Sequence, residues 1–233
     1  YKIQEGRPIN QLYVVTVDRI VRDQADLDYV QSLVDANPAY FATFQRPELG
    51  DFLYADANGD GVLDNDDRVE IGYGALPRLT YGLNIGAEWN GFDFAMFLQG
   101  VGDYKVYYNN QAFRFVTVMG QSLNKDITDN AWTPENPYAS TYPVLRNNAD
   151  GRNNIASDAF VHNAAYLRCK NIQLGYTVPQ RITRKFFVEK LKVYCSIDNL
   201  FTITSFPGLD PEIAAGVGYP SIRQYSVGLN VSF

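Results

Sequence analysis

The sequence predicts an all-β protein whose antiparallel strands are of the membrane-barrel kind. Three observations predict this. About six segments alternate apolar and polar residues with a period of two, each about ten residues or longer. The connections between them alternate strictly between short and long. Tyrosine and phenylalanine are abundant, at 17 and 14 residues against Trp 2, in a chain of 233 residues. A soluble β-sandwich shows the same alternation, so periodicity alone does not decide. Length and connection asymmetry do: a tilted bilayer strand needs ~9–11 residues, whereas soluble strands average ~5–6. A tyrosine excess suits both β structure and the aromatic girdles of a membrane interface.

The first strand is expected near 10–20, with Tyr13, Val15 and Val17 outward. Residues 79–89 set Leu79, Tyr81, Leu83, Ile85, Ala87 and Trp89 against Thr80, Gly82, Asn84, Gly86 and Glu88. Asn90-Gly91 then supplies a tight hairpin turn, because both residues tolerate φ > 0. The return strand carries Phe92, Phe94, Met96 and Leu98 on one face. A strand over about 164–178 alternates Ile172, Leu174, Tyr176 and Val178 with Asn171, Gln173, Gly175 and Thr177, and Pro179 ends it. Another covers about 190–201, with Leu191, Val193, Cys195 and Ile197 on one side. The last runs through Tyr225, Val227, Leu229, Val231 and Phe233, opposite Gln224, Ser226, Gly228, Asn230 and Ser232. Two connections are short, Asn90-Gly91 and 179–189. Three are long, about 21–78, 102–163 and 202–221. Outer-membrane barrels alternate short periplasmic turns with long extracellular loops, so the long connections are expected outside the cell. Six strands are too few to close a transmembrane barrel, which takes about eight. The opening Tyr1-Lys2-Ile3, without initiator Met or signal peptide, is expected to belong to the interior of a longer chain.

Composition removes several function classes. Net charge is −6 with pI near 4.8, and there is no Lys/Arg block, so no nucleic-acid partner is expected. A single histidine, His162, leaves a zinc site or a His-based triad without partners. Two cysteines rule out a disulfide scaffold. Strand parity puts Cys169 on the lumen side and Cys195 on the lipid side, so two free thiols are expected. No run approaches the ~18 apolar residues of a transmembrane helix. The same parity places Arg168 and Lys170 with Ile172, where they are expected to snorkel at the upper membrane interface or to meet lipid phosphate.

Six motifs in order then resemble one family. They are Gly50-Asp51-Phe52-Leu53-Tyr54-Ala55-Asp56-Ala57-Asn58-Gly59-Asp60-Gly61, Pro77-Arg78-Leu79-Thr80-Tyr81-Gly82, Tyr166 through Tyr176, Asp198-Asn199-Leu200-Phe201, Gly208-Leu209-Asp210-Pro211-Glu212, and the strand Tyr225 to Phe233. Together they resemble the SusC/RagA family of TonB-dependent outer-membrane transporters, over about residues 5–233. The resemblance implies the C-terminal part of an about 22-stranded barrel in a Gram-negative outer membrane, with plug and N-terminal strands lying upstream. It implies import of oligosaccharides or oligopeptides, a SusD/RagB-like surface lipoprotein as lid, and energy drawn from TonB through the missing plug. It carries no catalytic residues, and no enzyme activity is expected. Ser226, Gly228, Val231 and Phe233 also resemble a barrel-assembly signal. An alternating strand with a free edge can pair with another strand edge, which gives that reading a physical basis.

Asp56, Asn58, Asp60, Val62, Asp64 and Asp67 match positions 1, 3, 5, 7, 9 and 12 of a calcium-binding loop, with Gly61 at the sharp turn. Position 12 is Asp rather than Glu, and flanking helices are not evident. A structural Ca²⁺ is therefore expected in a loop-only site, set against an acidic loop built from Asx-turns with no ion. Residues 25–36 read as a short helix, capped by Asp23 or Asp26 and stopped by Asn37-Pro38, that packs its own loop or touches the lipoprotein. In the second long connection, Tyr107, Tyr108 and Trp132 are candidate substrate-stacking residues, beside Tyr104, Phe113 and Phe115. Asn109, Asn110, Asn147, Asn148, Asn153 and Asn154 add neutral hydrogen-bonding capacity. The alternative from another class is a secreted calcium-binding β-sandwich of the carbohydrate-binding kind.

Overall fold

A computed structural model describes residues 5–6, 11–73, 76–109, 114–117, 123–147, 151–213 and 218–233. Asn110, Phe113 and Asn148, and the start of the first expected strand, lie outside the described residues. The chain divides into two compact units.

The unit formed by 76–106 and 163–233 holds a six-stranded antiparallel sheet. Its strands are β5 (Leu79–Trp89), β6 (Phe92–Gly102), β11 (Tyr166–Thr177), β12 (Lys190–Asp198), β13 (Thr202–Thr204) and β14 (Gln224–Ser232). The order across the sheet is β14-β12-β11-β6-β5, with β13 also on β11. β13 continues the β12 pairing: β12 meets residues 171–177 of β11, and β13 meets 166–168. The β5–β6 hairpin turns on Asn90 at φ +48° and Gly91 at φ +85°, as Asn-Gly requires. Register is unbroken from Leu79↔Gly102 to Trp89↔Phe92.

Here the sequence expectation needs one correction. The strand near 10–20 is not part of this sheet. It forms two four-residue strands, β1 (Gln11–Val14) and β2 (Val17–Ile20), paired with β4 (Val69–Tyr73) and β3 (Phe52–Tyr54) respectively. Val15 is fully buried between them and bridges to Ser157, and Gln11, Leu12 and Val14 are buried too. A period-two stretch buried on both faces belongs to a packed interior, not to a two-faced wall.

That interior is the other unit, residues 1–75 and 107–162. Between β6 and β11 the chain also forms the short strands β7 (Lys105–Tyr107), β8 (Val116–Thr117), β9 (Arg146–Asn147) and β10 (Val161–Asn163). The core of this unit gathers Val15, Tyr40, Phe52, Tyr54, Leu63, Phe115, Ile127, Trp132 and Phe160. Helix α1 (Gln24–Ala36) begins where Asp23 accepts from the Asp26 amide at 3.1 Å and ends on Asn37. It buries Val30 against Val21 and Leu53, so it packs its own unit as expected.

Candidate functional site

The pairing registers give the sheet two chemically different faces. Residues directly opposite in an antiparallel pair share a face. One face reads, row by row, Trp89-Phe92-Tyr176-Val193-Leu229, then Ala87-Phe94-Leu174-Cys195-Val227, then Ile85-Met96-Ile172-Ile197-Tyr225, then Leu83-Leu98-Cys169, then Tyr81-Gly100-Leu167-Ile203. Leu83, Leu174, Val193, Val227 and Leu229 on this face are exposed. From the Trp89 row to the Tyr81 row is eight residues, ~26 Å along a strand, which suits the apolar band of an outer-membrane barrel. Aromatic rings bound it: Trp89 lies beside Phe92, whose ring packs on Tyr176 at 4.6 Å, and Tyr81 stands at the far end.

The opposite face carries Asn84, Gln99, Asn171, Gln173, Ser196, Asp198, Gln224 and Ser226. Asn171 donates to Asp198 at 2.7 Å, and Lys192 pairs with Asp93 at 2.7 Å near the short turns. Amides and hydroxyls predominate, a lining suited to hydrogen bonding with a neutral polar solute.

A β-bulge corrects two side-chain assignments. Between Cys169 and Asn171 the β11–β6 register shifts by one residue. A one-residue shift moves every side chain beyond it to the other face. Cys169 therefore pairs with Leu98 on the apolar face, not the polar one. Arg168 pairs with Gln99 and Thr202 on the polar face and does not snorkel into an interface. Its side chain is 4% exposed and sits 2.7 Å from Asp210 and 2.8 Å from Glu212. Lys170 reaches the same Glu212 at 2.6 Å. Both cysteines are free, Cys169 buried and Cys195 exposed. The reason differs from the one expected: they share a face but stand on strands whose registers hold them far apart, since Cys195 pairs with Leu174, five residues along β11 from Cys169.

The candidate stacking residues turn inward instead. Trp132 and Tyr108 are 7% and 6% exposed, so neither offers a ring face to a ligand. Trp132 covers Gly50, and Tyr107 packs edge-on against Phe160 at 5.9 Å and accepts from Asn109. Trp132 and Tyr107 pack into the core of the unit that carries them, shared with Val15, Phe52, Tyr54 and Leu63. Asn153 is wholly buried as well: its amide donates to Asp51 and Val144, and its oxygen accepts from the Phe52 amide.

The acidic loop is ordered by its own side chains. Asp56 accepts from the Gly59 and Gly61 amides, Asn58 from Asp60, Asp60 from Val62, and Asp64 from Asp66. Asp67 is fully buried and accepts from the amides of Ala57, Asn58 and Asp64. Among the described residues no three His, Cys, Asp or Glu side chains converge as a metal-holding group. The six expected ligand positions thus lie in one loop, and the five that would ligate by side chain turn carboxylate or amide oxygens to backbone amides.

No family model matches the chain. Among curated proteins, TonB-dependent receptor P39 of Formosa agariphila is 31% identical over 205 residues, covering 79% of this chain and 19% of the relative. TonB-dependent receptor SusC of Bacteroides thetaiotaomicron is 28% identical over 186 residues, covering 78% of this chain and 17% of that protein. In fold, the RagAB peptide transporter superposes with a TM-score of 0.71 at 23% identity, over 96% of this chain and 23% of the solved chain. The chain is similar in sequence to TonB-dependent receptors, SusC among them, and in fold to the RagAB peptide transporter. It spans about a fifth of the length of the curated relatives it matches. The open antiparallel sheet matches in fold a partial barrel of the RagAB kind. The β-sandwich alternative would need a second sheet against the apolar face, yet that face is exposed. Among the described residues no helix is long and apolar enough to cross a membrane, which says nothing of a barrel.

Proposed function

We propose that this chain is barrel wall of a TonB-dependent outer-membrane importer for oligosaccharides or oligopeptides. The apolar face meets outer-membrane lipid and the polar face lines the path. One observation carries the reading: five cross-strand rows of apolar residues, most of them exposed or half-exposed, back onto a face of amides and hydroxyls. In this reading the chain binds and passes solute and performs no bond chemistry. The plug, the TonB contact and the strands that close an about 22-stranded barrel belong to the rest of the receptor. A SusD/RagB-like lipoprotein covers its outer mouth, and the long connections 102–163 and 202–221 face outward, together with 21–78, which precedes β5 without joining two strands of the sheet. The names of the relatives support this partnership, as SusC and as one half of RagAB.

Two smaller assignments go with it. Ser226, Gly228, Val231 and Phe233 serve as the assembly signal. Gly228 fits because a Cβ there would lie 2.3 Å from the Tyr194 ring, so the position accepts only glycine while Tyr194 covers it. Ca²⁺ is the proposed structural ion of the Asp56–Asp67 loop, supported by the spacing of Asp56, Asn58, Asp60, Val62, Asp64 and Asp67. Binding requires carboxylates that now hold amides to turn towards the ion.

The functional test uses cells of the source organism. The receptor is tagged, its membrane fraction solubilised, and the co-purifying lipoprotein and glycan or peptide identified. Uptake of that solute is then measured with and without TonB. Recovery in the outer membrane, a lipoprotein partner and TonB-dependent uptake are expected. A soluble product with no such partner contradicts the proposal.

A further inference from the structure

The polar face bears a segment that strand alternation does not explain. Between β13 and β14 the described residues 205–213 and 218–223 are gathered by one arginine. Arg168 places Nη2 2.7 Å from Asp210, Nη1 2.8 Å from both Glu212 and Ser221, and Nε 2.8 Å from Thr202. Three of these four partners belong to the segment. Asp210 also accepts from the Glu212 amide at 2.9 Å and the Ser221 amide at 2.8 Å, so one carboxylate gathers both ends of the segment. Tyr166 donates to Glu212 at 2.9 Å, and its ring lies under the Arg168 guanidinium at 5.6 Å.

A solvated loop tip has no need of such a network. Taking a guanidinium and a carboxylate out of water is unfavourable unless nearly every donor is met, and here nearly every donor is. The arrangement therefore holds the segment in one place. That place is over the polar face, because Arg168, Tyr166 and Thr202 all point there by register.

We propose that Arg168 is a positioning residue that latches residues 205–213 and 218–223 over the polar face, where they narrow the path and set the size of solute that passes. The inference rests on the barrel reading for what the polar face lines. The latch itself stands on the geometry alone.

The test uses the full receptor carrying Cys169→Ala and Cys195→Ala, with a reporter cysteine at Gln99→Cys beside Arg168 on the polar face, or at Gln173→Cys further along it. Hydrophilic maleimides of increasing polymer length are the probes, and heat-modifiable gel migration reports the folded barrel. Arg168→Met is expected to raise labelling at Gln99→Cys by about tenfold or more and to admit longer probes. At Gln173→Cys the shortest probe, which already passes, should label at an unchanged rate, which general unfolding would not allow, while longer probes should newly reach it. Should Arg168→Met fail to insert, Glu212→Gln carries the same comparison. Equal labelling rates and size limits at Gln99→Cys, with the barrel intact, overturn the latch. Absence of a heat-shifted band in the parent receptor instead contradicts the barrel reading, and the latch is then scored from the labelling rates alone.

Discussion

Gly50 and Asp51 show how single residues fix the packed unit. Gly50 sits at φ +85°, and a Cβ on it would lie 2.6 Å from Trp132 and 2.7 Å from Val144. Gly50→Ala meets both backbone strain and overpacking, and a loss of about 1–3 kcal/mol is expected, read as earlier thermal unfolding of this unit. Asp51, also fully buried, takes a two-pronged ion pair from Arg146 at 2.9 Å on each oxygen, and Asn153 donates to it as well. The Gly-Asp of the motif was visible in the sequence, but its partners were not. They lie about a hundred residues on, and no local spacing rule reaches that far. Arg168 and Asp210, 42 residues apart, are likewise beyond any local spacing rule.

Asp210 also yields a pH prediction. Burial alone would raise its carboxyl, but hydrogen bonds from Arg168 and from the Ser221 and Glu212 amides outweigh burial and hold it at about 2. Glu212 is likewise lowered, burial being outweighed by Lys170, Tyr166 and Arg168. A carboxylate depressed in the folded state stabilises above its unfolded pKa of 3.8 and loses that effect as pH falls towards about 2. Pepsin cleavage within 205–223 should therefore rise steeply between about pH 4 and pH 2, and Asp210→Asn should flatten that rise. The acidic loop has its own test. Terbium luminescence sensitised by nearby tyrosines, abolished by Asp56→Ala with Asp60→Ala, is the result expected for a bound Ca²⁺. A flat terbium response removes the ion and leaves the amide-bonded loop as the whole account.

At the scale of elements, the strongly periodic segments were readable and the irregular ones were not. The β5–β6 hairpin follows directly from eleven alternating residues, Asn90-Gly91 and a second eleven. Helix α1 followed from its spacing and its cap. The bulge at Lys170 was not readable, because the residues around it keep a plausible alternation whether or not one is skipped. It reversed the expected faces of Arg168 and Cys169. The strand near 10–20 failed for a related reason: alternation over a few residues also fits short strands packed inside a unit. The face assignment predicts opposite outcomes for neighbours on β11. Leu174→Arg, on the apolar face, should cost about 2–4 kcal/mol if it lies near the bilayer midplane, read by urea titration of receptor folded into liposomes. Gln173→Arg, on the polar face, should change the same midpoint little. The thiols follow the same geometry: in mild detergent Cys195 should react with an apolar maleimide and resist a charged one, and Cys169 should react only after unfolding.

For the molecule as a whole, the central claim is that one face of the six-stranded sheet contacts lipid and the other an aqueous path. The most direct measurement attaches an environment-sensitive fluorophore at Leu174→Cys or Gln173→Cys, in receptor lacking the native cysteines and reconstituted into vesicles. Nitroxide-bearing lipids and aqueous iodide then serve as quenchers. The account predicts strong lipid quenching with little iodide quenching at 174, and the reverse at 173. Iodide quenching at both positions without a lipid effect would contradict it.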